Sequence, residues 1–253
     1  MLKTRIIPTL LWKDHGLVKG VGFDSWRRVG TVLPAIKVYN LREVDEIILV
    51  DVTATGEARE PDFAEISECT QESFVPMTVG GGIANIDQIR KLLLAGADKV
   101  TLNSASFREP ELVSRAANRF GSQCIVASID YRLQDGRPVC FSHSGTRAEG
   151  IDPVRWAKEM EAAGAGEILL TSIERDGTME GYNLEVTRSV SEAVGIPVII
   201  SGGAGSCDDI LRGIRDGGAA AAAAASIFHY TEITPLSVKT HLSGHGIPVR
   251  LFS

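Results

Sequence analysis

Eight short apolar runs alternate with longer amphipathic stretches along the chain, and this alternation restricts the possible folds more than any other feature. The runs consist mainly of Ile, Leu and Val with little polar alternation, which is typical of strands that are covered on both faces. We therefore predict eight strands, at residues 5–11, 46–51, 76–80, 98–103, 123–130, 167–172, 197–201 and 219–226. The last run contains seven consecutive alanines, for which helix propensity alone would predict a helix. Its place in the alternation favours a strand.

The amphipathic stretches predict helices, among them residues 87–95, 110–118, 153–163, 184–192 and 208–215. Repeated strand–helix units indicate a parallel sheet. Eight such units in 253 residues predict an α/β fold, a closed (β/α)8 TIM barrel. An open doubly wound sheet is the alternative.

The two halves of the chain repeat each other at an offset of 119 to 122 residues. Such self-similarity indicates that one structural unit occurs twice. We predict one domain over residues 1–253, built of two half-barrels at about 1–121 and 122–253. Segments 5–11, 46–51, 75–82 and 103–107 match segments 124–130, 167–172, 196–203 and 225–228.

Each half also carries a glycine-rich strand end, followed one strand later by small residues. Glycine allows a close approach of the backbone to a ligand, and N–H groups at a helix start can hold an anion. Because barrel active sites lie at the carboxyl ends of the strands, two such sites predict a ligand with a phosphate at each end. The alternative is that the glycines only shape tight turns. The stretches concerned are 80–82 with Asn103-Ser104, and 202–205 with Ala225-Ser226.

One carboxylate at this end of the barrel lacks its counterpart. Asp130 ends the fifth predicted strand, and the matching position of the first strand is Leu11. Two facing carboxylates could act as general acid and general base, whereas an apolar side chain carries no proton. Asp176 lies beyond a strand end as a further candidate or as a loop cap. Lys19, in the long loop 14–30, could reach over the site to a phosphate or be solvated.

Four charged residues begin strands at the opposite end of the barrel, where apolar residues are usual. Burying charge is costly unless the charges are paired, so two cations and two anions are expected to neutralise one another in a ring. The ring is either a stabilising plug, since this face usually serves stability, or a gated opening under a docked partner. The four residues are Arg5, Glu46, Lys99 and Glu167.

Composition excludes several classes of function. The chain has 26 Lys and Arg against 32 Asp and Glu, a net charge of −6, which disfavours nucleic acid as a partner. No apolar run reaches the ~18 residues of a membrane span, and no secretory signal is visible, so we expect a cytoplasmic protein. The four cysteines show no Cys-x-x-Cys spacing and predict reduced thiols. His241 and His245 are a poor metal pair, and we expect no metal and no cofactor.

Taken together, these residues resemble the cyclase subunit of imidazole glycerol phosphate synthase, HisF, from end to end. The matching stretches are 5–7, 13–14, 18–20, 78–83, 96–100, 121–123, 129–130, 164–173, 175–178, 181–182, 201–205 and 228–229. The resemblance implies a heterodimer with a glutaminase (HisH-like) subunit, whose ammonia enters at the bottom of the barrel and crosses to the top.

The resemblance also implies roles for individual residues. It assigns the ammonia gate to Arg5, Glu46, Lys99 and Glu167, and a position at the glutaminase interface to Asp98. One of the family's two catalytic aspartates matches Asp130. The phosphate-binding positions match Lys19, Gly82, Asn103, Ser104, Asp176, Gly177, Gly203, Ala225 and Ser226.

The second catalytic aspartate of the family falls on Leu11, and loss of a general acid or base typically costs ~10²–10⁴-fold in rate. The stretch 8–11 is similar to a HisF-like branch associated with surface-polysaccharide genes, in which ammonia serves a separate amidotransferase that makes acetamidino sugars. We therefore expect an ammonia-channelling synthase subunit. The alternatives are a genuine cyclase (lyase) of histidine biosynthesis and a non-catalytic barrel that binds a bisphosphate and regulates a partner.

Overall fold

The computed structural model describes residues 3–251. Its strands are β1 (Arg5–Lys13), β2 (Gly16–Val21), β3 (Asp24–Gly30), β4 (Ile47–Asp51), β5 (Met77–Gly80), β6 (Lys99–Leu102), β7 (Ile125–Gln134), β8 (Arg137–Ser142), β9 (Arg147–Ala148), β10 (Glu167–Ser172), β11 (Val198–Ser201) and β12 (Ala221–Ala224). Its α-helices are α1 (Val32–Leu41), α2 (Phe63–Glu72), α3 (Ile86–Leu94), α4 (Ser104–Arg108), α5 (Glu111–Phe120), α6 (Pro153–Ala162), α7 (Leu184–Ala193), α8 (Cys207–Arg215), α9 (Ser226–Tyr230) and α10 (Pro235–Gly244).

Eight of the strands form a closed parallel barrel in the order β1-β4-β5-β6-β7-β10-β11-β12. Strand β12 pairs in parallel with both β11 and β1 and so closes the ring. This closure confirms the predicted (β/α)8 barrel and excludes the open doubly wound sheet. The alanine run forms β12, as its place in the alternation predicts. Backbone pairing to two neighbours outweighs the preference of alanine for helix.

Each half contains one antiparallel hairpin that was not predicted. Residues 14–30, which the sequence indicates as a loop, contain the antiparallel strands β2 and β3, which continue β1 into a hairpin. In the same way β7 runs on to Gln134 and pairs with β8, which pairs with β9. Both hairpins follow turns with positive φ, at Asp14 and His15 and at Asp135 and Gly136. Each half therefore begins with a barrel strand that projects beyond the mouth.

Polar side chains fix where most of the longer helices begin. Each accepts a hydrogen bond from a backbone N–H of the first turn, which would otherwise have no partner. The helices run back from the carboxyl ends of the strands, so these caps surround the mouth of the barrel. The capping residues are Asp62, Asn85, Asp152, Asn183, Ser206 and Thr234.

A separate apolar cluster fills the inside of the barrel. Strand β12 contributes only the methyl groups of Ala221 and Ala223, whereas β1, β4, β7, β10 and β11 each contribute one branched side chain. The cluster comprises Ile7, Ile48, Val126, Leu169, Ile199, Ala221 and Ala223. No helix within residues 3–251 has both the length and the apolar character that a membrane crossing needs.

Candidate active site

A cavity of about 470 Å³ opens at the carboxyl ends of the barrel strands. Its volume lies within the range of small-molecule sites, and it occupies the face where barrel enzymes place their chemistry. Side chains of both halves of the chain line it, including Leu11 and Asp130. The cavity is therefore the place in which the predicted site residues have to meet.

Asp130 lies at this end of β7 with its carboxylate held from two sides. Oδ2 accepts a hydrogen bond from the Asn103 amide at 3.1 Å, and Oδ1 accepts one from the Ser128 hydroxyl at 3.4 Å. Burial, together with the nearby charge of Asp176, raises the pKa of Asp130 to about 7, against the lowering effect of the hydrogen bonds from Ser128 and Thr171. A carboxyl group with this pKa can both hold and release a proton near neutral pH.

Leu11 occupies the position on β1 that Asp130 occupies on β7. Leu11 pairs with Val18 of the following hairpin, just as Asp130 pairs with Phe141. Both side chains line the cavity and both are partly exposed to it. The two halves thus present one titratable and one apolar side chain at equivalent points.

The opposite charges of Lys19 and Asp176 interact at the edge of the cavity, without a direct salt bridge between them. Lys19 is 2% exposed, and its Nζ donates to the Thr9 carbonyl at 2.8 Å. Burial lowers the pKa of Lys19 and raises that of Asp176, and in each case the opposite charge of the other residue counteracts the effect. Asp176 lines the cavity, whereas Lys19 lies behind the wall. The role of Lys19 toward a phosphate remains a prediction.

The other predicted phosphate-binding residues all line the cavity. They form two groups on opposite sides of the mouth, Gly82, Asn103 and Ser104 in the first half, and Asp176, Gly177, Gly203, Ala225 and Ser226 in the second. Gly203 has φ +124°, and a Cβ atom there would lie 2.3 Å from the Gly181 carbonyl oxygen. Only glycine fits at such a position. Glycine at position 203 is therefore required by the packing of this turn against the backbone of Gly181.

At the amino-terminal end of the barrel, the four charged residues form a closed ring of salt bridges. Arg5 contacts Glu46 at 2.8 Å and Glu167 at 2.9 Å. Lys99 contacts the same two carboxylates at 2.9 and 3.0 Å. The Thr78 hydroxyl donates to Glu46 at 2.6 Å. Each charge therefore has two opposite neighbours, as the sequence predicts.

Asp98 lies beside this ring and is exposed. Its Oδ2 accepts a hydrogen bond from the Met77 backbone N–H at 2.8 Å. This contact joins the starts of β5 and β6 at the bottom of the barrel. The position is compatible with the predicted interface role, which remains a prediction.

Sequence reasoning missed several residues that line the cavity, because they lie in the two hairpins that were not predicted. Phe23 and Trp26 enter from the first hairpin, and His143 and Ser144 from the second. The Gly22 N–H donates to the Asp176 carbonyl at 2.9 Å, which fixes the first hairpin over the mouth. The Asp135-Gly136 pair is a hairpin signal that could have located the second. Arg59 and Arg108 also line the cavity without having been singled out.

One group of side chains within residues 3–251 could offer ligands to a metal ion, namely His15, Asp62 and Glu65. It lies outside the cavity. His241 instead contacts Asp208 at 2.8 Å, and His245 contacts the carbonyl of His241 at 2.9 Å. The four cysteines are free thiols.

Residues 5–234 match the family model described as "Histidine biosynthesis protein". The matched region contains every predicted site residue, from Arg5 of the ring to Ser226 at the mouth. It includes nine-tenths of the chain, and the described fold is the TIM barrel of that family. This chain therefore belongs to the histidine biosynthesis protein family, whose members are TIM-barrel enzymes of the HisA and HisF type.

Proposed function

We propose that this chain is the HisF-like synthase subunit of a glutamine-dependent amidotransferase, which receives ammonia from a glutaminase subunit and passes it through the barrel. The observation that carries the proposal is the complete ring of Arg5, Glu46, Lys99 and Glu167 at one end of the barrel that holds the cavity at the other end. If these four positions served only to close the end of the barrel, apolar side chains would be sufficient. Four paired charges instead cost desolvation, which favours a role beyond stability.

The barrel interior between the ring and the cavity supports passage of a small neutral molecule. Ala221 pairs with Arg5 at the level of the ring, and Ala223, two residues along β12, lines the cavity. Methyl side chains leave more room than the bulky branched residues that usually fill a barrel. The alanine strand is therefore the side along which ammonia would travel.

The surface around the ring supports a docked partner. Leu41, Phe74 and Leu94 are 86%, 84% and 72% exposed. Leu41 is the last residue of α1, Phe74 follows the end of α2, and Leu94 is the last residue of α3. All three therefore lie just before neighbouring barrel strands, at the ring end of the barrel. Large apolar residues exposed together mark interaction surfaces. We assign this face, with Asp98, to a HisH-like glutaminase.

Leu11 favours a use of ammonia other than cyclisation in histidine biosynthesis. With one of two acid–base positions apolar, cyclase chemistry is incomplete. The phosphorylated ligand of the cavity would then activate the glutaminase, and ammonia would pass to a separate sugar amidotransferase for a surface polysaccharide. A genuine cyclase is the alternative.

The test measures glutamate release by a HisH-like glutaminase from the same organism, with and without this chain. We expect stimulation by the chain, and a tenfold or greater loss of stimulation in Leu94→Ser. Leu236→Ser is the matched control, because Leu236 is an exposed leucine (43%) in the first turn of α10 at the opposite end. Absence of stimulation, or equal effects of both variants, would contradict the proposal.

A further inference from the structure

A chain of three side chains leads from the second hairpin to the cavity. The Ser142 hydroxyl contacts Glu149 Oε1, and His143 Nδ1 lies 2.7 Å from the same hydroxyl oxygen. A carboxylate only accepts hydrogen bonds, so Ser142 gives its single proton to Glu149. Ser142 can then only accept from His143, which places a proton on Nδ1. The nitrogen of His143 that remains for a ligand is Nε2.

His143 is fixed beside one of the predicted phosphate-binding groups. Its backbone N–H donates to Ser104 Oγ at 2.9 Å, and its side chain lines the cavity. Ser104 in turn donates to the Asn103 side chain at 3.4 Å. The imidazole therefore lies at the Asn103–Ser104 side of the mouth.

The basic side chains of the cavity are distributed unequally. Among residues 3–251, the basic ones that line it are Arg59, Arg108 and His143, all near the Ser104 side. Arg59 already contacts Asp51 and Glu57. Arg108 is exposed and donates from one nitrogen to the Ala84 carbonyl at 3.1 Å. Arg108 is thus the cation that is least neutralised by the protein itself.

The opposite side of the mouth differs in charge. It consists of glycine, alanine and serine together with Asp176, and no basic side chain lines it. Only uncharged donors, namely backbone N–H groups and serine hydroxyls, would meet an anion there. A doubly charged phosphate monoester is stabilised more strongly where charged donors add to backbone donors.

We propose that Nε2 of His143 and the guanidinium of Arg108 bind the phosphoryl group of the cavity's ligand at the Ser104 side, so that this side is the principal phosphate site. The assignment rests on the proposed function only in requiring a phosphorylated ligand. One proton, supplied by the imidazole or by the phosphate, lies between Nε2 and a phosphate oxygen, while the contact of Ser142 with Glu149 keeps Nδ1 as the donor to Ser142. Glu149 and Ser142 are positioning residues for His143.

The test uses inorganic phosphate as the probe and isothermal titration calorimetry on the full chain without glutaminase. Since a hydrogen bond to a charged group contributes substantially to affinity, we expect His143→Gln and Arg108→Gln each to weaken phosphate binding by about tenfold or more. Arg115→Gln is the matched control, because Arg115 is an exposed arginine on α5 that contacts Glu109 outside the cavity. Circular dichroism verifies that each variant folds.

The positioning role has its own readout in ¹⁵N NMR of the imidazole. The parent protein should carry the proton on Nδ1 of His143, and Glu149→Gln should shift it toward Nε2, because a glutamine can donate to Ser142 and free that hydroxyl to donate to His143. Unchanged phosphate affinity in both His143→Gln and Arg108→Gln would overturn the inference and leave the glutaminase proposal intact. Failure of the parent protein to bind phosphate would overturn it as well. Loss of glutaminase stimulation with normal phosphate responses would contradict the proposed function alone.

Discussion

Leu11 stands on β1 where Asp130 stands on β7, and both side chains face the same cavity. The two positions are therefore equivalent in the fold, but only Asp130 can take up and release a proton. The surroundings of Asp130 are intact, since Asn103 still holds its carboxylate. At these two equivalent positions, one side chain titrates and the other is apolar.

Leu11→Asp should create ammonia-dependent turnover of the bisphosphate substrate of HisF, at a rate ~10²–10⁴-fold above that of the unmodified protein, because a second acid–base group becomes available. Leu11 is partly exposed to the cavity, so an aspartate there can be hydrated. The control is Leu11→Asn, because asparagine has nearly the same shape as aspartate but does not titrate. This variant should stay inactive. Turnover by the unmodified protein would show that one carboxylate suffices.

Asp130→Asn should stabilise the protein as the pH rises. Asp130 has an ordinary pKa of 3.8 and a folded-state pKa of about 7. Between these values the folded chain holds a proton that the unfolded chain has released, so stability falls as pH increases. At about 1.4 kcal/mol per pH unit, the upper limit of the gain in the variant is about 4 kcal/mol above pH 7, with no gain below pH 4. Urea unfolding at pH 4, 5.5 and 8 measures the difference, and a gain that is independent of pH would refute the assignment.

Glu46→Gln should destabilise the folded protein by about 3 kcal/mol, because it leaves Arg5 and Lys99 with one carboxylate instead of two in a poorly hydrated ring. Glu46 is 2% exposed and contacts both cations. The matched control is Glu72→Gln, whose contact with Lys37 is exposed on both sides and should contribute less than about 1 kcal/mol. Equal losses in the two variants by urea unfolding would mean that the ring is hydrated.

Lys239→Met should cost about 3–5 kcal/mol, because it leaves a buried carboxylate without its cation. Lys239 is fully buried, and its Nζ donates to Asp45 at 2.7 Å and to the Glu43 carbonyl at 2.7 Å. Asp45 also accepts from the Ile6 N–H, so hydrogen exchange should accelerate at the start of β1. Lys158→Met, on the exposed face of α6, should leave both measurements unchanged.

The barrel could be predicted because buried parallel strands appear in the sequence as continuous apolar runs. Residues 167–172 coincide with β10, and even the alanine run was assigned through its place in the repeat. The bounds of β1 and β7 were too short, since their last residues lie outside the barrel wall and show no continuous apolar run. The turn at Asp14 and His15 contains no glycine although both residues have positive φ, so the usual hairpin signal is absent there.

The cavity was predicted only in part, and the reason is geometric. Gly82, Asn103 and Ala225 follow the ends of barrel strands by one or two residues, so topology alone brings them together. His143 and Trp26 reach the mouth only because hairpins fold back over it, which strand order does not encode. The sequence predicts that Lys19 could reach over the site, but its position in the hairpin directs its ammonium group toward the Thr9 carbonyl.

The alanine strand has a consequence for how the chain folds. Alanine loses almost no side-chain entropy on ordering, yet in an unfolded chain a run of alanines favours helix over strand. Strand β12 is therefore an element whose local preference opposes its final conformation, and it gains its pairing only when β1 and β11 already stand on either side of it. We expect closure of the barrel at β12 to be among the last events of folding, because this strand has only methyl side chains with which to hold its two neighbours in place.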